Sequence, residues 1–343
     1  MLELIKSLCS ANAPSGCEDE AIRLITHRLD ELNVRYTRYP SGNVIASLPA
    51  ENENAPRIMV QCHVDEVGFM VKGHRDGGYL SLAPLGISDT AELVGKRVTM
   101  LADGAVHGAI GAVPIHLSKD KDKPHMDDLY ADVGATDKED SSEKIPLGTF
   151  GCFDTEAEAF GKDCEFISGK ALSARIPCAV LLQVIERLKS AKLKSHLYFA
   201  FTVRGKLSLC GATEAYNKIR PDSVISVVGT PTLDLPDSDS PICLLGRGVA
   251  IPSREVRYVF DSSITSQLLK ASEENGVSSQ VSRPMTEEED HDFDLLRMKN
   301  EGARLAVLRL PVRGIRSACE VASLSDAASA AELLRTALPQ LEA

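Results

Sequence analysis

Apolar residues in the stretch EDEAIRLITHRLDEL (18–32) recur at every third or fourth position, which predicts an amphipathic helix. Ser15 and Glu18 stand ahead of it at capping-box spacing. Three β-like pieces follow: VRYTRY, NVIASL and the apolar run RIMVQC at 57–62. A helix followed by strands points to an α/β layer with 57–62 as a central strand. From about 66 to 165 the pattern changes. Short alternating segments (VGFMVK, GYLSLA, KRVTML, VHGAIG) are separated by glycine and Asp-Gly turns, the pattern of a small all-β module. Within it, the charged stretch LSKDKDKPHMDD at 117–128 reads as a solvated loop.

After 165 the α/β pattern resumes. Pro177 sits where a first helical residue is expected, ahead of the apolar helix CAVLLQVIERLKS. HLYFAFTV, SVISVVG and ARLAVLRL read as strands. LCGATEAYNKI, SITSQLLKASEENG ending at Gly276, and SLSDAASAAELLRTAL read as helices. The expected architecture is one discontinuous α/β domain, 1–65 with 166–343, interrupted by a β module at 66–165.

The length of 343 residues agrees with about two domains. A net charge of −11 repels phosphate backbones and anionic membranes, so neither nucleic acid nor membrane is an expected partner. The start MLELIKSLCSANAPSG lacks a basic region and a long apolar core, and no apolar run is long enough to span a bilayer. Nine scattered cysteines without a CxxC pair point to reduced thiols and a cytoplasmic location, and away from a structural zinc site. The absence of tryptophan weighs against a sugar-binding cleft.

His63 and Asp65 form a His-x-Asp at the end of the apolar strand. A histidine there can bind metal while the carboxylate fixes its other ring nitrogen, although a polar strand end has the same look. Nucleophile motifs are missing: there is no G-x-S-x-G, no P-loop, and Gly246-Arg247-Gly248 lacks a third glycine. Cys62, Cys178, Cys210 and Cys319 read as structural. Cys62 cannot pair with His63, because strand neighbours face opposite sides. Glu287-Glu288-Glu289-Asp290 with His291-Asp292 reads as a solvated helix start.

Seven stretches carry a resemblance: HVDEVGFMV, LVGKRVTM, DDLYADVGA, SGKALSARIPCAVLLQVIERL, TVRGKLSLCGA, LLGRGVAI and PVRGIRSACEVASLSD. Their content and order resemble the tetrahedral aminopeptidases, co-catalytic metallopeptidases also known as glutamyl or deblocking aminopeptidases and sometimes labelled endoglucanases. The resemblance spans nearly the whole chain. It implies a three-layer metallopeptidase-like α/β domain with an inserted β-barrel used for dimerisation and larger assembly. It further implies two divalent metals, such as zinc or cobalt, held by five ligands, with a glutamate as general base.

Position by position, the resemblance leaves this chain short of that set. His63 matches the first ligand and Asp65 its supporting carboxylate. Ser173 follows Gly169-Lys170-Ala171-Leu172, where the family has a bridging aspartate. Gly205 stands in the position of the base and Lys206 in that of the next ligand, after Thr202-Val203-Arg204. Val228 occupies the next ligand position, beside Gly229. Arg316, three residues after Arg313, stands where the last ligand, a histidine, belongs. Two dications need anionic and imidazole donors. Lys206 or Arg316 at ~4 Å from a metal would instead repel it by about 4 kcal/mol per unit charge, at an effective dielectric of ~20.

The expectation is therefore a catalytically inactive homologue with no catalytic residue and no bound metal. Its role would be binding, scaffolding or regulation. Lys206, Arg316, Arg175 and Arg204 would form a cationic former cleft for a small anionic or carboxylate ligand, with Asp65 as partner for the buried cations. Expected partners are copies of itself, as a dimer or larger, and an active paralogue. The alternative is a metallo-aminopeptidase or other hydrolase with residual or altered activity, using a single metal at His63.

Overall fold

The computed structural model describes residues 1–87, 90, 92–113, 124–207, 210–236, 240–255, 259–285 and 302–342. The acidic run 287–292 and most of the charged loop 117–128 lie outside them.

Seven α-helices are described: α1 (Leu2–Ser10), α2 (Asp19–Glu31), α3 (Lys138–Lys144), α4 (Leu172–Leu188), α5 (Cys210–Ile219), α6 (Ser262–Glu274) and α7 (Leu324–Ala337). The first strands are β1 (Tyr36–Arg38), β2 (Val44–Leu48) and β3 (Arg57–His63). Next come β4 (Gly68–His74), β5 (Leu80–Leu85), β6 (Arg97–Ala102), β7 (Gly104–Gly111), β8 (Tyr130–Asp132) and β9 (Phe150–Phe153). The rest are β10 (Glu158–Phe160), β11 (Phe166–Gly169), β12 (His196–Thr202), β13 (Ser223–Pro231), β14 (Val249–Ile251), β15 (Ser279–Val281), β16 (Arg304–Arg313) and β17 (Glu320–Ser323).

The large sheet runs β1-β2-β12-β3-β13-β16-β17-β11-β10, with β14 and β15 attached beside β16. Its centre, β12-β3-β13-β16, is parallel. Strands in such a sheet are covered on both faces, which explains runs as apolar as RIMVQC and SVISVV. On one face α1, α2, α4, α6 and α7 enclose the main core. On the other, α5 and the segments around Ile242, Phe260 and Met285 cover Met59, Val224, Val228 and Val307. Helix α4 lies deepest: 14 of its 17 residues are buried, so its hydrophobicity runs all the way round.

Strands β4 to β9 close a separate barrel in the order β4-β5-β8-β7-β6-β9 around its own core, where Phe69 and Phe153 stack edge to face. The family resemblance had implied this barrel. Its last strand ends at Phe153. The segment assigned to the module up to 165 already belongs to the large sheet, because β10 pairs with β11 rather than with any barrel strand.

Two local expectations change. Glu18, not Ser15, is the N-cap of α2, and neither makes a side-chain cap bond; both side chains turn toward other partners described below. Helix α4 begins at Leu172, so Pro177 is inside it rather than at its start. The missing proline N–H leaves the Ser173 carbonyl without its i+4 donor. Helix α1 was not anticipated, although Ile5, Leu8 and Cys9 recur at helical spacing and are buried; strands β10, β11 and β17, of three or four residues each, are too short to show a pattern.

One charge pair is buried under the second face. Arg309 of β16 and Glu255, just after β14, are both fully buried and in contact. The Arg309 guanidinium also donates to the Ser282 hydroxyl (3.0 Å) and the Arg283 carbonyl (3.1 Å), and Glu255 accepts from the Met285 N–H (2.9 Å). Burial pulls the Arg309 pKa down to about 10. Arg309→Met strands a buried carboxylate and is expected to lose about 3–5 kcal/mol in urea unfolding. The double variant Arg309→Met with Glu255→Leu is expected to recover most of that loss. Equal loss in both variants would show that packing, not the stranded charge, sets the cost.

Candidate functional site

The parallel strands β3, β12 and β13 end side by side at the C-terminal edge, where open α/β sheets place their chemistry. His63 ends β3, paired with Thr202 of β12. Residues 204–206 follow at once. Gln61 pairs with Ser226 of β13, so the two-residue pleat puts Val228 on the same face as His63. The Val228 side chain joins the apolar cluster with Met59. Gly229 faces the other way. A Cβ there would lie 2.4 Å from the Ser173 Cα, so β13 abuts the start of α4.

Asp65 is the hub. Its carboxylate is fully buried and accepts the Gly205 N–H (2.7 Å) and the Lys206 N–H (2.8 Å), together with the Ser15 hydroxyl. His63 Nδ1 lies 3.3 Å from Asp65 Oδ1, a contact short of good hydrogen-bond alignment. Burial alone would push the Asp65 pKa up. The opposing pull of His63, Ser15 and the Lys206 N–H prevails and holds it well below the usual carboxylate range. Beside it, Glu18 accepts the Arg204 N–H (2.9 Å) and the Gly16 N–H (2.8 Å). Three successive N–H groups, 204 to 206, thus form a concave anion nest. Two of this chain's own carboxylates fill it. Arg204 shapes the nest with a left-handed φ of 59°.

The nest explains Gly205. A Cβ at this position would sit 2.4 Å from the His63 Cβ and 2.7 Å from its Cγ. The position expected for a general base holds no side chain, and the backbone has closed over His63 so that none fits.

The expected partner of Lys206 is corrected. Asp65 receives only its backbone N–H, while its ammonium charge acts on Glu320. The Lys206 Nζ is buried without a hydrogen-bond partner among the described residues. Glu320 of β17 is buried. It accepts the Ser173 N–H (2.6 Å), the Ser173 hydroxyl (2.9 Å) and the Arg316 N–H (2.8 Å). Burial raises the Glu320 pKa, against the opposing pull of Lys206 and these donors. Glu320 was not singled out in the sequence. Its only signal was an acid four residues past Arg316 inside a matched motif.

Arg175 is also corrected. It is fully buried away from the cleft, bonded to Glu66 (3.0 Å) and to the Val64 carbonyl. The structure brings Lys206, Arg316, Ser173 and Glu320 together and leaves the Arg204 side chain exposed. The expected excess of positive charge instead meets three carboxylates: Asp65, Glu18 and Glu320. Cys62 points away from His63 and touches Cys178 of α4, as strand alternation requires (Sγ–Sγ 3.6 Å).

The donor set fits a dinuclear metal centre poorly. Of the matched positions only His63 offers a metal ligand. The Ser173 hydroxyl is bonded to Glu320, Val228 is apolar, and Lys206 and Arg316 are cations. Among the described residues, no group of three or more His, Cys, Asp and Glu side chains is arranged to hold a metal ion.

A large mixed sheet with catalytic-type loops at its parallel edge and an inserted closed barrel is the architecture of the aminopeptidase class implied by the resemblance. Residues 42–333 match the M42 glutamyl aminopeptidase family, and the chain belongs to that family. An Acetivibrio thermocellus chain, provisionally named an aminopeptidase, is 29% identical over 339 residues, covering 98% of each chain. The TET aminopeptidase of the marine sediment archaeon Thaumarchaeota archaeon SCGC AB-539-E09 superposes with a TM-score of 0.92 at 25% identity, over 99% of this chain and 97% of that one. The Pyrococcus horikoshii TET1 peptidase, described as assembling into a tetrahedron or a large octahedral shell, superposes with a TM-score of 0.87 at 24% identity, over 99% of both chains.

Two outcomes follow. Gly205→Ala forces its methyl against His63 and is expected to destabilise by about 1–3 kcal/mol, read as a lower thermal midpoint. A neutral result would mean that the 204–206 turn is not held where it lies. The depressed Asp65 pKa means that its stabilisation is present above the unfolded value of about 3.9 and is lost as pH falls below it. Asp65→Asn should lower stability at neutral pH and flatten the acid limb of the stability–pH curve. A limb of unchanged slope would remove Asp65 as its source.

Proposed function

We propose that this chain is a non-catalytic member of the aminopeptidase family, a self-assembling protein that keeps the fold without the hydrolytic centre. One observation carries this reading. The turn 204–206 stands where the resemblance puts the base and a metal ligand, and its N–H groups are bonded to Asp65 and Glu18, with no room for a side chain at 205. Peptide hydrolysis by two metals needs a hydroxide source, a base to take its proton, and carboxylates to hold the ions. At the positions matched to the ligands and base this chain offers an imidazole, a hydroxyl bonded to Glu320, an apolar side chain, no side chain at 205, and cations, while the nearby carboxylates are taken up by its own N–H groups.

The local charges support a self-contained site. Lys206 faces Glu320, and the nest N–H groups face Asp65 and Glu18. A small carboxylate ligand would have to compete with Asp65, Glu18 and Glu320 for these groups. Self-association is proposed from the likeness to the shell-forming Pyrococcus horikoshii peptidase and from the inserted barrel, to which the resemblance assigns assembly. Co-assembly with an active paralogue follows the same logic and is tested by co-expression with one. No helix among the described residues is long and apolar enough to cross a membrane.

The test is elemental mass spectrometry on protein purified without chelators, together with release of fluorophore from aminoacyl-coumarin substrates. The expected result is metal far below one ion per chain and no release above the blank, with added zinc or cobalt making no difference. Two ions per chain with turnover would overturn the reading. One ion per chain, lost in His63→Ala together with activity, would establish the single-metal hydrolase instead. Native mass spectrometry is expected to give a homo-oligomer; a monomer at micromolar concentration would remove the assembly role.

A further inference from the structure

A second buried polar cluster lies where the barrel meets the large sheet, apart from the Asp65 hub. Its members come from four segments: Asn12 after α1, Glu66 between β3 and β4, Cys152 of β9, and Lys170 with Arg175 around the start of α4. Glu66, Lys170, Arg175 and Cys152 are each at most 4% exposed. The Lys170 ammonium donates to Asn12 Oδ1 (2.7 Å), to Glu66 Oε1 (3.3 Å) and to the Cys152 sulfur (3.5 Å). The Cys152 thiol donates to the same Asn12 oxygen (3.1 Å). Asn12 therefore pins the nitrogen and the sulfur against each other from one side.

The charge balance in this cluster is uneven. Lys170 and Arg175 are both cationic, and both bond to the one carboxylate of Glu66. Burial and Arg175 oppose the Lys170 ammonium, but the pull of Glu66 prevails and holds its pKa above the ordinary lysine value, so the nitrogen stays fixed against Glu66, Asn12 and Cys152. The thiol is of no use as a free nucleophile, since burial pushes its pKa up to about 12. A covalent change here must link the two groups in place.

We propose that Cys152 and Lys170 form an oxidative cross-link, a nitrogen–oxygen–sulfur bridge that joins the barrel to the large-sheet domain and opens again under thiol reductant. Dioxygen is the oxidant. The ammonium, the thiol and one dioxygen give the bridged N–O–S product, one water and one proton. The O–O bond, the S–H bond and two N–H bonds break, and the N–O and O–S bonds of the bridge and the two O–H bonds of water form. Nitrogen and sulfur each lose two electrons, and the two oxygen atoms gain the four. The released proton leaves with the water during the opening that admits dioxygen, so Glu66 stays ionised and keeps Arg175 paired. Dioxygen is small and uncharged and enters during local opening of the barrel–sheet junction. Neither Arg175 nor Asn12 changes chemically. The product leaves Arg175 and Glu66 paired one to one.

The wild-type protein itself tests this. After air exposure it is denatured, alkylated and digested. The expected product is one peptide pair joining Cys152 to Lys170, heavier than the sum of its parts by one oxygen and lighter by two hydrogens. One fewer of the nine cysteines is then alkylated, and dithiothreitol restores the ninth. Cys152→Ser and Lys170→Gln each abolish the linked pair. Full alkylation of Cys152 after air exposure, with Lys170 unmodified, would overturn the proposal whether or not the variants fold. Loss of the Cys152 thiol to a sulfenic acid or a disulfide, without Lys170, would overturn it equally. Metal content and peptidase assays play no part in this readout, so it stands or falls separately from the functional reading above.

Discussion

The buried carboxylate of Asp65 holds the centre of this molecule together. It joins the end of β3 to the turn after β12 and to the loop before α2, through two backbone N–H groups and the Ser15 hydroxyl. A buried charge is tolerable only when donors surround it, and here the donors belong to chain segments 50 and about 140 residues away in sequence. The same bonds shape the site. A peptide that lies on Asp65 and packs against His63 leaves no room for a side chain at 205.

The backbone around this hub retains a strained shape. Ala171, Arg204 and Arg316 have φ values of 60°, 59° and 67°, and each lies on a loop that borders the site. Non-glycine residues in this region store strain, and such strain collects where geometry is demanding. These three precede or carry positions matched to the family's ligands and base. The strained turns therefore gather where the resemblance puts the ligands and the base. Glu320 shows the result: it holds the Ser173 hydroxyl and N–H and the Arg316 N–H, and it faces the Lys206 ammonium.

Away from the hub, charge is buried at two further junctions. Arg309 with Glu255 ties the loops over the second sheet face to β16, and Glu66 with Lys170 and Arg175 ties the barrel to α4. Each replaces apolar contact with directional bonds at a place where separate chain segments must meet in one register. Burial of such pairs contributes little net stability but strongly disfavours arrangements that leave one partner alone.

Periodicity in the sequence determined most of the fold: the helix at 19–31, the parallel strands β3, β12 and β13, and the alternating segments that close into the barrel. These are local patterns, because burial imposes a repeat of about 3.6 in helices and of 2 in strands. That serine, glycine, lysine, valine and arginine stand at 173, 205, 206, 228 and 316, where the resemblance expects a base and metal donors, was legible in the sequence. Partnership was not. Arg175 beside Glu66, Lys206 toward Glu320 rather than Asp65, Ser15 on Asp65 rather than on a helix cap, and Pro177 inside α4 all depend on segments far apart in the chain. Residue types and spacing determined which charges this protein carries and on which strand ends they stand. Only the tertiary structure decided which opposite charge each one meets, because a side chain's partner is set by three-dimensional proximity and by the donors left to satisfy it.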